Sequence, residues 1–363
     1  MRFIKKKNQN SGVLNIHPLP SPLREEGAAL FPRLLSLSYT SLLFAFFLIF
    51  AMFFTVKTSA QPKDFKPFRM IFLPDTHISF EKQDDWILYK ESFVTFQETI
   101  KSIKSTPGID FVVFGGDLVD NKDKTLEDLP FFLDSIYDLN TKYYAILGDR
   151  DADLEEDYTK QHFCAEFRRN GFDNPYSTYW TQEPVKNVLL IGLDTSIKNK
   201  FEGKISPEQL IWLDEVLKSN CCRFTIITMH HPAVITAPQD KNTWKRFVLE
   251  NSDEFLNVIN KYPQVKLILS GHHHNYAVQN INGKLFISTP SIVTYPNQYQ
   301  ILTVYPDKIE IQKEKIPFNQ IIKKAKKSLV KTQYAKEFDA KKPKKVLRFQ
   351  EGGKIRKKKT FSF

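Results

Sequence analysis

FRMIFLPDTH, residues 68–77, decides how the rest of this 363-residue chain is read. A β-favouring, mostly apolar run from Phe68 to Leu73 stops at Pro74 and is followed at once by Asp75 and His77. Short runs of this kind, bounded by turn residues, read as buried strands. The arrangement recurs at Phe111 to Phe114, Tyr143 to Leu147, Val188 to Leu193, Phe224 to Met229 and Val265 to Leu269, with amphipathic helical stretches between. Strands alternating with helices predict an α/β domain, whose ligands gather at the carboxyl ends of the strands.

One helix start is well signed. Ser206-Pro207-Glu208-Gln209 supplies an N-cap, a proline at the first helical position and a glutamine at the third. A helix from Pro207 to Leu217 follows, with Leu210, Leu213 and Leu217 on a core-facing stripe. From Tyr276 the pattern becomes one of short strands. Asn282-Gly283 marks a hairpin between Val278 to Ile281 and Lys284 to Ile287. Runs at Gln300 to Val304 and Ile309 to Gln312 are expected to complete a second, mixed sheet with that hairpin.

Five polar clusters stand just past the strand ends: Asp75-Thr76-His77, Gly116-Asp117, Gly148-Asp149-Arg150-Asp151, His230-His231 and Gly271-His272-His273-His274. They hold six of the eight histidines, and scattered core histidines have no reason to choose strand ends. Imidazoles and carboxylates together suit Zn, Fe, Mn or Ni, and three Asp with several His suffice for two ions. Two ions about 3.5–4 Å apart can hold a hydroxide, align it with phosphorus and stabilise charge on the attacking and leaving oxygens.

From Asp75 to His274 this ordered set resembles the calcineurin-like metallophosphoesterases, whose pattern is DxH, GD, GN(H/R/C)(D/E), H and GHxH. The stretch from Gly203 through Ser206-Pro207-Glu208-Gln209-Leu210 to Trp212-Leu213, and Pro290-Ser291, are similar to the branch that includes cyclic-nucleotide phosphodiesterases. The resemblance implies a four-layer αββα sandwich of two mixed sheets flanked by helices. It also implies a metal-dependent hydrolase that cleaves a phosphodiester or related phosphoester by in-line attack of metal-activated hydroxide. By the pattern, Asp75, His77 and His274 would bind the first ion, Asp149, His230 and His272 the second, and Asp117 both. His231 and His273 are candidates to touch substrate. Asp120 and Asp194 are candidates either to orient ligand histidines or to cap loops.

The third cluster departs from the family pattern, with Asp149 where an Asn is usual and Arg150 where a His is usual. Two divalent ions, three carboxylates and a hydroxide sum to zero charge, so attraction for phosphate weakens unless Arg150 restores it. Arg150 can form a bidentate contact with phosphate oxygens but stays protonated and cannot act as a general acid. An Arg here is similar to that in the UDP-diacylglucosamine pyrophosphatases, which keeps a nucleotide-diphosphate substrate open. The remaining alternative for Arg150 is a pair with a nearby carboxylate such as Asp153. Metal binding without turnover is the competing reading of the whole site.

The chain's net charge of +11 belongs to its ends. Residues 1–60 carry +5 and residues 316–363 carry +13, which leaves −7 for the middle. Residues 61–315 are read as the phosphoesterase domain. The last segment, with KKAKK from Lys323, KKPKK from Lys341 and RKKK from Arg356, reads as a solvated or partly helical tail. It is suited to anionic lipid or nucleic acid. Leu34 to Val56 contains no charged residue and six Phe, and reads as an export signal or a single membrane anchor, with the side of the membrane open. Composition excludes a disordered chain, a collagen and a disulfide-stapled miniprotein. The three cysteines, Cys164, Cys221 and Cys222, form no metal or bridge pattern and read as free, mostly buried thiols.

Overall fold

The computed structural model describes residues 64–80, 82–120, 127–151, 159–174, 176–241, 244–353 and 358–363. The uncharged segment 34–56 lies outside the described residues, and among these no helix is long and apolar enough to cross a membrane.

Strands β1 (Phe68–Leu73), β2 (Phe111–Phe114) and β3 (Lys142–Ala145) are parallel neighbours, with α1 (Ser92–Ser105) and α2 (Asp128–Ile136) in the crossovers. After α3 (Lys160–Glu166) and the short β4 (Trp180–Gln182), the chain builds a second sheet. It runs from β5 (Val188–Gly192) through α4 (Pro207–Ser219), β6 (Phe224–Thr228), α5 (Ser252–Ile259) and β7 (Val265–Ser270) to the hairpin of β8 (Ala277–Ile281) and β9 (Lys284–Ser288). Then come β10 (Gln298–Val304), β11 (Lys308–Lys315), α6 (Asn319–Lys331), α7 (Gln333–Phe338), α8 (Lys345–Gln350) and β12 (Lys358–Ser362). The two six-stranded mixed sheets have the orders β12-β11-β10-β1-β2-β3 and β4-β5-β6-β7-β9-β8.

Period-two alternation stacks the layers. Val188, Leu190, Phe224, Ile226, Leu267, Leu269, Leu285 and Ile287 join the core shared with the first sheet. Their neighbours Leu189, Ile191, Ile227, Ile268 and Phe286 face Leu210, Leu213 and Leu217 of α4 and Phe255 and Ile259 of α5. Phe96 of α1 and Phe132 of α2 stack at 4.8 Å, and Phe132 meets Phe114 of β2 edge-on at 5.0 Å. The result is two mixed sheets with helices on their outer faces.

The signed helix begins as its sequence dictates. Ser206 Oγ accepts from Gln209 N at 3.2 Å, while the Gln209 side chain bridges the backbone N–H and C=O of Asp194. Asn282 and Gly283 take φ of 54° and 74°, both positive, as a two-residue hairpin turn requires.

Three expectations are corrected. The strands at 298–304 and 308–315 do not join the hairpin in the second sheet: β10 pairs antiparallel with β1, Leu302 opposite Met70, and β11 pairs with β10. Local alternation locates a strand but carries nothing about which sheet receives it. The Lys-rich segment is partly helical, as one of its two readings expects, in α6, α7 and α8, but it is packed against the domain rather than solvated. Along α6, Ile321, Ala325 and Leu329 recur at helical spacing and face inward, with Ala325 and Leu329 fully buried beside Leu88 and Tyr295. Lysines fill the outer positions of that helix and hide a sparse apolar stripe from composition. β12 then pairs with β11, Phe361 opposite Ile309. Of the thiols, Cys164 is buried but Cys221 is exposed.

Two buried strand lysines make stability depend on pH. Burial pushes Lys284 down to about 8, and burial with neighbouring lysines pushes Lys313 down to about 8, where its Nζ stands 3.4 Å from the Tyr276 ring centroid. In the unfolded chain both stay protonated to about 10.4. Between pH 8 and that value the unfolded state binds more protons, so folding stability rises with pH. Replacing both by Met is expected to raise Tm at pH 7 and to lose that advantage by pH 10. An equal advantage at both pH values would contradict the assignment.

Candidate metal centre

Every cluster singled out in the sequence arrives at one place because each follows the carboxyl end of a strand. Asp75 and His77 follow β1, Asp117 follows β2, Asp149 follows β3, His230 follows β6, and His272 and His274 follow β7. Five of these residues sit in the left-handed backbone region: Asp75 (φ 56°), His77 (42°), Asp117 (50°), His272 (61°) and His274 (50°). Non-glycine residues avoid that region unless surrounding structure imposes it. Here the loops turn sharply enough to aim consecutive strand ends at a common point. Close approach is also built into Gly148, where a Cβ would fall 2.2 Å from Asp117 N and Oδ1.

The donor atoms form two groups, Asp75, His77 and His274, and Asp117, Asp149, His230 and His272, all buried. In the first, His77 Nε2 and His274 Nε2 are 3.1 Å apart and His274 Nε2 is 3.2 Å from Asp75 Oδ1. In the second, His272 Nδ1 is 3.0 Å from Asp149 Oδ1 and 3.3 Å from His230 Nε2, which is 3.3 Å from Asp149 Oδ1. Asp117 Oδ2 faces both groups, 3.6 Å from His77 Nε2 and 3.4 Å from His230 Nε2.

This donor set fits divalent cations. Donors about 2.1 Å from a shared tetrahedral ion stand about 3.4 Å from one another, which is the spacing seen. Three buried carboxylates also require compensating charge. His230 Nδ1 stands 3.0 Å from Gly115 O, an arrangement in which Nδ1–H donates and the Nε2 lone pair points into the site.

The electrostatics are those of a cation site held by imidazoles. Burial pushes Asp149 up, but His272 and His230 outweigh it and hold the carboxyl well below the ordinary range. Asp75 is lowered against burial in the same way, chiefly by His274. Burial opposes charge on His230, yet Asp117, Asp149 and Asp75 raise it well above the ordinary value.

Arg150 folds back onto the site. Its backbone N–H donates to Asp117 Oδ1 at 2.8 Å, and its Nε lies 3.1 Å from Asp149 Oδ2. Burial works against the charged guanidinium, but Asp149 and Asp117 raise its pKa further. The alternative partner, Asp153, lies outside the described residues.

His231 is fully buried, with Nδ1 2.8 Å from Thr195 Oγ1 and Nε2 3.1 Å from Phe201 O, and its ring centroid is 4.2 Å from that of His272. His273 is fully buried between Trp244, Phe247, Tyr334 and Phe349, with Nδ1 beside Thr236 Oγ1. Asp120 Oδ2 faces His77 Nδ1 at 3.7 Å and accepts from Lys82 Nζ at 2.6 Å and Tyr89 Oη at 3.0 Å. Asp194 instead caps its own loop, accepting from Ser196 N and Oγ and from Lys160 Nζ.

Two features escaped the sequence reading. Asp151, quoted within its cluster but given no role, accepts from four backbone N–H groups: Asp117 (2.8 Å), Leu118 (2.7 Å), Val119 (3.2 Å) and Gly148 (2.7 Å). Burial, then the charge of Asp117, pushes its carboxyl up to about 7. Its place two residues after Asp149 was the available signal. Ser291, in the segment linked to the cyclic-nucleotide branch, donates to Asp75 O at 2.7 Å. A concavity of about 1500 Å³ lies elsewhere, between β8 and the 341–353 segment, and contains none of the ligands.

A two-sheet α/β sandwich with paired Asp/His groups at its strand ends defines a metallophosphoesterase. Residues 68–276, more than half of the chain, match the calcineurin-like phosphoesterase family, and the protein belongs to that family. It is accordingly a hydrolase of phosphoester bonds, in a family that uses a dinuclear divalent metal centre. Among curated relatives it is 28% identical to a 3′,5′-cyclic-nucleotide phosphodiesterase of Nostoc sp., over 62% of this chain and 78% of that protein. It is 26% identical to a probable glycerophosphodiester phosphodiesterase of Arcobacter nitrofigilis, over 53% of this chain and 66% of that one. A 3′,5′-cyclic adenosine monophosphate phosphodiesterase of Haemophilus influenzae is 26% identical over 61% and 76%. A dimetal phosphatase from Danio rerio shares the fold, with TM-score 0.58 and 15% identity over 68% of this chain and 96% of that one.

Proposed function

We propose that this protein hydrolyses a small phosphodiester, with one divalent ion held by Asp75, His77 and His274, a second by Asp149, His230 and His272, and Asp117 shared between them. Mn, Fe, Zn and Ni all suit that mixture of imidazole and carboxylate. The observation that carries the reading is the position of Asp117 Oδ2, which faces an imidazole nitrogen of each group at 3.4–3.6 Å. When bound, the two cations lower the pKa of a coordinated water and neutralise charge on the phosphoryl oxygens.

The chain's own residues prepare that chemistry. Asp151 fixes the backbone of the loop carrying Asp117, and the Gly115 carbonyl orients His230. The guanidinium of Arg150 offsets the charge of Asp149 and leaves its Nη groups to bind phosphoryl oxygens. It stays protonated, so the leaving alcohol takes no proton from it. His231 holds Phe201 and the Thr195 loop against His272, a supporting role, and the packing of His273 among aromatic rings supports the same assignment.

Arg150→Gln is expected to lower kcat/KM on the order of tenfold to a hundredfold, the worth of one or two charge-assisted hydrogen bonds. Metal content should stay unchanged, and an unaltered kcat/KM would remove Arg150 from substrate binding. The test of the function itself is turnover by the full chain with Mn(II) on bis-p-nitrophenyl phosphate, glycerophosphodiesters, cyclic nucleotides and nucleotide diphosphates. Chelator-sensitive hydrolysis of a phosphodiester supports the proposal. Cleavage confined to nucleotide diphosphates would make it a pyrophosphatase, and bound metal without turnover would make it a metal-binding protein of this fold.

A further inference from the structure

Tyr334 of α7 is inserted between two tryptophans that belong to two different loops of the metal centre. Its ring plane lies 14° from that of Trp86, at a centroid distance of 5.5 Å, and 8° from that of Trp244, at 4.1 Å. Trp86 follows the loop that carries His77, and it also stands 4.9 Å from the ring of His274. Trp244 follows the loop that carries His230 and His231, and it meets His273 edge-on at 5.6 Å. The two indoles are thus near-parallel walls of a slot beside the metal ligands.

The phenol ring that fills the slot comes from outside the family-matched region, which ends at residue 276. It is firmly held there. Tyr334 Oη accepts from Gln350 Nε2 at 2.9 Å, Glu337 Oε2 accepts from Trp244 Nε1 at 2.8 Å, and Phe338 O accepts from Gln239 Nε2 at 2.9 Å. Lys324 of α6 adds ion pairs of 2.6 Å to Asp84 and Glu91, on either side of Trp86 in sequence.

A pair of parallel indoles is a stacking site for a planar ring, and every nucleobase presents a π face to such a site. We propose that Tyr334 determines the substrate class by occupying that site. With the phenol in place, a nucleobase is excluded from between Trp86 and Trp244, and the centre is left to phosphodiesters of non-aromatic alcohols. The inference rests on the phosphodiester reading above and narrows it to that class. Loss of the ring opens the slot to nucleotides.

The test compares the wild-type full-length chain with Tyr334→Ala and Tyr334→Phe. Two quantities are read: the ratio of kcat/KM for 3′,5′-cyclic AMP to that for glycerophosphoethanolamine, and quenching of tryptophan emission by AMP in metal-free protein. Tyr334→Phe should match wild type in both. Tyr334→Ala should raise the ratio on the order of tenfold, as expected for one gained base–aromatic stack, and should make emission sensitive to AMP. Adding Trp86→Ala should abolish that gain. If Tyr334→Ala does not fold, Tyr334→Val, which keeps a short branched side chain on the helix but vacates the position of the ring between the two indoles, replaces it with the same expected outcomes. A wild-type ratio and no AMP quenching in the folded variant, with phosphodiester turnover intact, would overturn the inference alone. Absence of phosphodiester turnover in every protein, beside AMP quenching confined to the opened variant, would overturn the phosphodiester reading and keep the slot.

Discussion

Asp117→Asn is expected to lower turnover by on the order of 10²–10³-fold, the range found when one preorganised electrostatic group is lost from an active site. The reason lies in its two oxygens. Oδ2 faces His77 Nε2 on one side and His230 Nε2 on the other, while Oδ1 accepts the Arg150 N–H at 2.8 Å. An amide at this position keeps the volume but loses the negative charge, and its single oxygen cannot serve both the loop contact and the shared position. Stability should change little and affinity for the second ion should fall. Turnover and metal stoichiometry measured on the same preparation check this, and unchanged values for both would remove Asp117 from its shared role.

Asp151→Ala is expected to have the largest effect on the fold around the centre. The carboxylate accepts four buried backbone N–H groups, from Asp117, Leu118, Val119 and Gly148. Each buried donor left without an acceptor costs about 1–3 kcal/mol, although relaxation and entering water reduce the sum. A loss of about 4 kcal/mol is therefore expected in chemical denaturation, together with reduced metal binding, because Asp117 and Asp149 hang on the backbone that Asp151 ties. Asp151→Asn retains one accepting oxygen and should fall between the two. A loss below about 1 kcal/mol for the alanine variant would show that water replaces the carboxylate at no cost.

Much of the centre was legible because its chemistry is local in sequence. Asp75, His77, Asp117, Asp149, His230, His272 and His274 each announce themselves as polar residues just past an apolar strand, and the fold carries those strand ends to one edge. Asp151 illustrates the limit of that reading. Its role depends on which N–H groups converge on it from Asp117 to Val119, a contact across 32 to 34 positions that no local pattern encodes. The sheet membership of β10 is of the same kind, since Gln298–Val304 reads as a strand from its own residues while its partner β1 lies more than 200 residues earlier.

The C-terminal segment failed to declare itself for a different reason. Lys323, Lys324, Lys326 and Lys327 are exposed on α6, and they dominate its composition, whereas Ala325 and Leu329 provide the buried contacts. A charge count sees the solvated face. The structural consequence is direct, because the segment read as a basic tail delivers Tyr334 to Trp86 and Trp244, beside the candidate ligand loops.

The central claim is that Asp117 joins two cations into one centre. Its most direct measurement is metal analysis of the full chain loaded with Mn(II), combined with electron paramagnetic resonance of the bound ions. The account predicts two ions per chain with an exchange-coupled spectrum that Asp117→Asn converts to isolated or single-ion signals. One ion per chain, or two ions whose spectra are uncoupled in the wild-type protein, would contradict it.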